Sequence, residues 1–244
     1  MKNTIKLFSI IFLAFSFMMA GSVYAQTTKA EEKEKKVLEK EQSDLRASVV
    51  KQAKKDARKL EKEGWQSMGL PIFDQLVEIR MKEKETDAAG NKKYIVSYQF
   101  VTARTFTAAQ SQADAVARMR IAQAMGSSVA MLIDEAVANH EISAKEGETY
   151  QLHVENAKEM VTQKLGRTVK VMEYYQELSN GNVRVRIGVV YDMKAAISIE
   201  REMILEELKK ESDINKAQLE KIMGFDKLSD QISKTMPQYD EVLD

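Results

Sequence analysis

The sequence predicts an α+β fold, with a mainly antiparallel sheet of three or more strands packed against two or three helices. Three observations predict it. The stretch Tyr94–Phe106 alternates apolar and polar side chains as a strand does. The Ala-rich run Thr107–His140 then carries apolar residues at helical spacing. Two further alternating runs are joined at Asn180-Gly181, the strongest short-range signal for a β-hairpin.

Composition narrows the possible functions. The chain has no cysteine, which excludes disulfides, thiolate metal sites, a cysteine nucleophile and a lipobox cysteine for lipid attachment. Its 37 basic and 37 acidic residues balance, and removal of the first 25 residues deletes Lys2 and Lys6. The resulting net charge of −2 argues against nucleic acid or an anionic membrane surface as a partner of the whole chain.

The first 25 residues have the three parts of a secretory signal peptide. Lys2 and Lys6 form a short basic region, the run Leu7–Ala20 is apolar, and Val23-Tyr24-Ala25 matches a small-residue cleavage site. A retained membrane anchor is the alternative, but the apolar run is short for a span of about 20 residues. The sequence therefore predicts cleavage after Ala25, export, and a periplasmic or outer-membrane-associated protein.

A highly charged helix is predicted next, over Lys29–Glu63. It carries one narrow apolar stripe, made of Leu38, Leu45, Val49, Ala53, Ala57 and Leu60. Such a helix either forms a coiled coil or docking element, or packs as an N-terminal arm. The absence of sustained heptads favours the packed arm. Gly64 is expected to end the helix.

The segment between this helix and the long Ala-rich helix is expected to build the middle of the sheet. Trp65, the only tryptophan, is predicted to plug the core at the edge of the sheet, with ligand stacking as the alternative. Pro71 suits the first position of another helix. The alternation from Tyr94 predicts a central or near-central strand, with helices on one face of the sheet and a partly wet second face.

Local sequence predicts a bend or a close contact within the long Ala-rich helix and a capped start for the helix that follows. Gly126-Ser127-Ser128 is expected to bend the long helix or to let a strand approach closely. Ser143 and Glu146 form a predicted capping box at the start of the following helix, which ends at Gly166. No Gly-rich loop joins the strand to the long helix, so no nucleotide site is expected there.

The hairpin pairs Thr168–Leu178 with Asn182–Tyr191. Arg184 and Arg186 lie on its polar face, where they form either an anion-binding surface or a solvated face near Glu173; the latter is favoured. A third long helix is predicted over Ala195–Met223. The tail from Gly224 is predicted to hold a short helix and a frayed end.

No catalytic, cofactor-binding or metal-binding residues are predicted. His140 and His153 lie on different elements, and neither an H-E-x-x-H nor a G-x-S-x-G motif is present. Acidic pairs such as Asp134-Glu135 and Glu206-Glu207 suit solvated helix faces. The fourteen methionines, three of them in the signal, suit core packing rather than a copper site.

The order of these motifs resembles a known family. Gly64-Trp65, a strand, a helix with Ala109, Ala113 and Ala117-Arg118, and a closing run Val183–Asp192 together resemble the LPP20-type lipoprotein domain of bacterial envelope proteins. That domain is similar to the N-terminal domain of the flagellar T-ring protein. The resemblance covers about residues 65–193. It implies a small α+β envelope domain with no established catalytic residues.

This chain departs from that family by lacking the lipid-bearing cysteine, so no lipid anchor is expected. The Ala25-Gln26 junction is also similar to that of exported proteins of Bacteroidota, which would place the protein in a periplasm. The predicted divisions are a signal peptide (1–25), a charged helix (26–63), an LPP20-like domain (64–194) and a helical extension (195–244).

The leading functional hypothesis is a non-enzymatic exported envelope protein, a structural or protein-interaction module. It would contact another envelope protein or its own copy through its terminal helices or a sheet edge. The first alternative is a periplasmic small-ligand-binding domain, with a pocket between the Gly126 region and the sheet lined by Tyr98, Tyr174 or Trp65. The second is a hydrolase that uses His153 with a nearby carboxylate.

Overall fold

The computed structural model describes residues 23–166, 168–209 and 215–237. It confirms the α+β class: in these ranges seven helices accompany a three-stranded antiparallel sheet of order β1-β3-β2. The predicted signal peptide up to residue 22 and the predicted frayed end at 238–244 lie outside the described residues. Among the helices that are described, none is long and apolar enough to cross a membrane.

The elements follow one another along the chain with short connections. The helices are α1 (Val23–Lys62), α2 (Ile72–Lys84), α3 (Phe106–Ala138), α4 (Ala144–Lys164), α5 (Met193–Leu208), α6 (Lys216–Ile222) and α7 (Phe225–Thr235), and the strands are β1 (Tyr94–Ala103), β2 (Val169–Glu177) and β3 (Val183–Asp192).

The described residues divide into two compact units, one up to residue 48 and one from residue 49 onward. The described part of the first unit, residues 23–48, is helical. The second unit contains the sheet and the remaining helices, and α5, α6 and α7 contribute to the same core as the sheet. The sequence-based division at 64 and 195 stays a prediction about domains, while packing within the second unit is continuous across residue 195.

One hydrophobic core lies between the sheet and the helices α3 to α7. From the sheet it takes Ile95 of β1 and Val185, Ile187 and Val189 of β3. The small residues Ala109, Ala113 and Ala117 of α3 are completely buried, which lets this helix approach the sheet closely. The Ala-rich pattern therefore identifies the face of α3 that packs.

A second core covers the opposite face of the sheet. Val96 and Tyr98 of β1, Met172 and Tyr174 of β2 and Val190 of β3 pack there against α2 and the last part of α1. The Cδ1 of Ile79 on α2 occupies the space that a Cβ at Gly188 would need, so a larger residue there would force the Ile79 side chain to move. The expectation of a partly wet second face is therefore wrong for residues 95–98, which are buried.

The position of β1 in the sheet also corrects a prediction. β1 was expected to be central or near-central, but it is an edge strand, since β3 occupies the centre and pairs with β1 on one side and with β2 on the other. Alternating apolar residues reported the burial of β1 correctly. They carry no information on how many neighbours a strand has, because pairing depends on distant segments.

The apolar stripe of α1 packs where it is described. Val49, Ala53, Ala57 and Leu60 are buried and Leu45 is half-buried, while the side chain of Leu38 lies outside the description. The packed-arm interpretation is therefore confirmed for residues 49–60. Trp65 is also buried, as predicted for a core plug at the edge of the sheet.

The predicted start of α4 agrees with the structure, whereas the predictions for α3 and for residues 195–223 differ from it. The capping box of Ser143 and Glu146 is present in both directions. α3 continues unbroken through Gly126, and the side chains next to that glycine are Val154 of α4 and Glu200 of α5 rather than a strand. The single helix expected over 195–223 is instead α5 and α6, and Asn215 caps the latter.

Candidate functional site

The outer edge of β2 is closed by neighbouring backbone and side-chain groups. Gln66 and Tyr175 exchange two backbone hydrogen bonds of 2.8 Å. Glu173 donates its backbone N–H to Oε1 of Gln75, a buried residue of α2, at 2.5 Å. An edge satisfied in this way has few groups left with which to bind another strand.

The first half of the outer edge of β1 lies beside the end of α7. Thr235, Met236 and Pro237 line a shallow cleft together with Ser97, Tyr98 and Gln99. A second, smaller cleft brings Ile232 and Met236 next to Tyr94, Ile95 and Val96. Coverage by a helix end is a common protection for an edge strand.

The second half of this edge is open. We call Phe100–Ala103 the open edge; here Phe100 is 58% exposed and Thr102 is exposed, and no described element pairs with β1 on this side. The carbonyl of Lys93 accepts a hydrogen bond from the N–H of Met193, which lies opposite it. Because bonded and non-bonded pairs alternate in an antiparallel ladder, Phe100 and Thr102 direct their N–H and C=O groups away from β3.

A row of aromatic rings and one cation runs across the sheet from the open edge. Phe100 lies opposite Arg186, and Arg186 lies opposite Tyr174. The guanidinium carbon of Arg186 is 5.3 Å from the ring centre of Trp65 and 5.8 Å from that of Phe100. Trp65 meets Tyr174 edge to face at 5.3 Å and 87°. We call these four residues the aromatic–arginine row.

Aromatic rings, rather than a carboxylate, hold Arg186 in place. Its Nε is buried and forms no hydrogen bond among the described residues. The expected neighbour Glu173 lies opposite Ile187 and is bound instead by Lys170 and Gln110, each at 2.6 Å. The expectation of a solvated arginine near Glu173 is therefore wrong for Arg186.

Arg184 completes the surface next to the open edge. It is exposed and lies opposite Thr102, with its Nε 3.5 Å from the Thr102 hydroxyl. The open edge therefore presents free main-chain groups, an exposed phenyl ring and a nearby cation. This combination suits an extended segment whose alternating side chains are apolar and acidic, because main-chain bonds supply affinity and side-chain pockets supply specificity.

The two histidines do not form a site. His140 is exposed at a helix end with a φ of 57°, whereas His153 is 4% exposed inside α4. His153 is not among the residues that line the clefts described here, so the hydrolase hypothesis lacks an accessible base. Within the described ranges, no group of three or more His, Cys, Asp or Glu residues is arranged to hold a metal ion.

The cleft beside α3 lies close to the predicted pocket. It has a volume of about 420 Å³ and is lined by Tyr98 together with Ala124 and Ser127, which flank Gly126. Arg120 and Gln123 add polar groups to its wall. Tyr174 and Trp65 do not line it. Their rings pack edge to face within the second core, which Tyr98 also joins.

One buried carboxyl group lies apart from these surfaces. Glu200 of α5 is 2% exposed, its Oε2 forms no hydrogen bond, and its Oε1 faces Gly126 of α3. Burial raises the pKa of Glu200 to about 8. The group is therefore protonated near neutral pH, which makes it a determinant of stability rather than a surface charge.

Comparison with protein-family models, with curated proteins and with solved structures finds no match. The resemblance to the LPP20-type domain therefore stays a proposal.

The sequence contained the components of the open edge but not their arrangement. Phe100 was visible only as one apolar residue of an alternating strand. Arg184 and Arg186 were identified as a polar face, without their aromatic neighbours. The available signal was the greater share of polar residues after Tyr98, namely Gln99, Thr102 and Arg104, since an edge that leaves the core gains polar residues.

Proposed function

We propose that the protein is a non-enzymatic, exported protein of the cell envelope that acts as a protein-interaction module. The open edge of β1 would accept an extended segment from a second copy or from another envelope protein. The signal-peptide pattern and the resemblance to the LPP20-type domain support the location. The absence of catalytic motifs from the sequence supports a role without chemistry.

The observation that carries the proposal is the contrast among the sheet edges. β2 is closed at Glu173 and Tyr175, and the first half of β1 lies beside α7, yet Phe100–Ala103 is left open with an exposed phenylalanine. An unprotected strand edge ordinarily promotes aggregation. An edge that stays open beside Arg186, which aromatic rings hold in place, therefore suits the specific addition of a strand.

We expect Phe100→Glu to weaken partner binding about tenfold or more, because a large aromatic side chain at an interface centre is a typical hot spot. Thr102→Pro is expected to weaken it about fivefold by removing one outward N–H while leaving the bonds to β3 intact. Self-association is measured by light scattering on the full chain. Binding of another envelope protein is measured as the amount of that protein that each variant captures from the producing cells.

Val169→Glu is the matched control, since Val169 is 63% exposed at the start of β2, on the opposite edge. Its binding should equal that of the unmodified protein. Binding that survives both β1 substitutions, or that Val169→Glu reduces equally, would contradict strand addition at the open edge.

The cleft beside α3 favours a second candidate, a small-ligand-binding domain. Its volume of about 420 Å³ lies within the range of ligand pockets. Its wall mixes polar and apolar side chains and its floor is shallow, whereas ligand pockets are mostly apolar and enclosed, so this candidate ranks second.

A ligand of this cleft is expected to raise the melting temperature of the protein. Arg120→Ala should abolish that rise, while Arg104→Ala, an exposed arginine outside the cleft, should preserve it. A screen of small polar metabolites by thermal shift checks both. A shift that Arg120→Ala leaves unchanged would remove the cleft from consideration.

A further inference from the structure

The last part of α1 carries a concentrated positive charge on one side. Lys51, Lys54, Lys55, Arg58, Lys59 and Lys62 are all exposed, and we call them the basic face. They recur at i, i+3, i+4, i+7, i+8 and i+11, the spacing of one helix face. From Lys51 to Lys62 the face is about 16 Å long. Together with Glu63 these residues line one shallow surface.

The orientation of this face is set by the core. Ala53, Ala57 and Leu60, on the opposite side of the same helix, are buried against the sheet and α2. Rotation of α1 about its own axis would remove these apolar residues from the core, so packing fixes the orientation of the helix. The positive charge is held toward solvent.

Internal acidic groups do not neutralise the basic face. Within the described ranges, none of its six cations forms an ion pair. Asp56, on the same stretch of helix, is bound instead by Arg80 of α2 at 2.6 Å. A nearly neutral chain thus has a local surface of high positive potential, which an average over the whole sequence conceals.

The residue types of the basic face favour one class of anionic partner over the others. Five of its six cations are lysines, which act as flexible point charges without the planar geometry that reads nucleic-acid bases or pairs with a carboxylate in two places. Lysine is also depleted in protein–protein interfaces. Clusters of four to eight basic residues on an amphipathic helix are instead typical of binding to anionic lipid headgroups.

The loop that leads away from α1 adds apolar groups. Met68 is 72% exposed and Leu70 is 59% exposed, four residues or more beyond Gly64. Exposed apolar side chains of this kind can enter the headgroup region of a bilayer. They have no counterpart in the recognition of a nucleic-acid backbone.

We propose that the basic face docks the protein onto an anionic lipid bilayer. The contact is electrostatic, since the apolar side of the helix remains in the core, and it is independent of strand addition at the open edge. Whole-chain net charge argued against such a surface. On this surface, however, six cations lie with a single carboxylate, Glu63, so the local charge is strongly positive.

The test measures co-sedimentation of the full chain with phosphatidylcholine vesicles that either contain or lack phosphatidylglycerol. We expect binding that requires phosphatidylglycerol and that decreases as salt rises. Lys55→Gln combined with Lys59→Gln should weaken it about 30-fold, because each lysine near an anionic surface contributes about fivefold. Glutamine preserves the helix, which circular dichroism verifies.

Lys145→Gln combined with Lys227→Gln is the matched control, since both lysines are exposed on other helices, α4 and α7. It should change binding by less than about twofold. Equal sedimentation with both kinds of vesicle would overturn the proposal, as would an equal effect of the two double variants. Binding to duplex DNA or to polyglutamate, with no preference for phosphatidylglycerol, would overturn it in favour of another polyanion.

Discussion

Glu200→Gln is expected to stabilise the protein by about 3 kcal/mol near pH 7 and to leave its stability nearly unchanged near pH 4. Glu200 is 2% exposed and has one carboxyl oxygen without a hydrogen bond. Burial raises its pKa from 4.5 to about 8. Glutamine has nearly the same shape and carries no charge at any pH.

The direction follows from proton binding in the two states. Below pH 4.5 the carboxyl group is protonated in both the folded and the unfolded chain, so it contributes no pH dependence. Between pH 4.5 and about 8 the unfolded chain releases the proton and the folded chain retains it. The free energy of unfolding therefore falls by about 1.4 kcal/mol for each pH unit in this window.

Denaturant unfolding at about pH 5 and about pH 8 measures this effect. The difference between Glu200→Gln and the unmodified protein should grow across that interval. Glu202→Gln is the control, since Glu202 is exposed on the same helix and its substitution should leave the pH dependence unchanged. A Glu200→Gln variant that is less stable at the higher pH would show that this carboxylate is ionised and paired.

Asp56→Asn is expected to destabilise the fold by about 3 kcal/mol. Arg80 of α2 is 2% exposed and its Nη2 lies 2.6 Å from the Asp56 carboxylate of α1, which is 15% exposed. The substitution removes one negative charge from beside a buried guanidinium. Because Asp56 is not fully buried, we place the effect at the low end for such pairs.

Denaturant unfolding of two further variants, one double substitution and one surface control, distinguishes the contribution of the ion pair from that of its surroundings. Replacing both residues, as Asp56→Leu with Arg80→Met, should return stability to within about 1 kcal/mol, because no buried charge remains. Glu155→Gln should change stability by less than about 0.5 kcal/mol, since its ion pair with Lys158 is exposed. A loss in Asp56→Asn no larger than that in Glu155→Gln would show that this carboxylate does not stabilise the packing of α1 on α2.

Short-range signals in the sequence were sufficient for most elements. The capping box at Ser143 and Glu146 and the turn at Asn180-Gly181 are formed by adjacent residues, so their chemistry is complete in the local sequence. The apolar periodicity of α3 and of the last part of α1 identified the buried faces for the same reason. These features establish the α+β class and the contributors to the core.

Only the tertiary structure decided which surfaces remain available. Strand order depends on pairing between distant segments, such as Tyr94 with Asp192, and an alternating pattern is the same in a central and an edge strand. Arg186 meets Trp65 and Phe100 only after three distant segments assemble. The exposure of the open edge and the orientation of the basic face are likewise properties of packing. Burial of one side of an element determines which groups are left on the other.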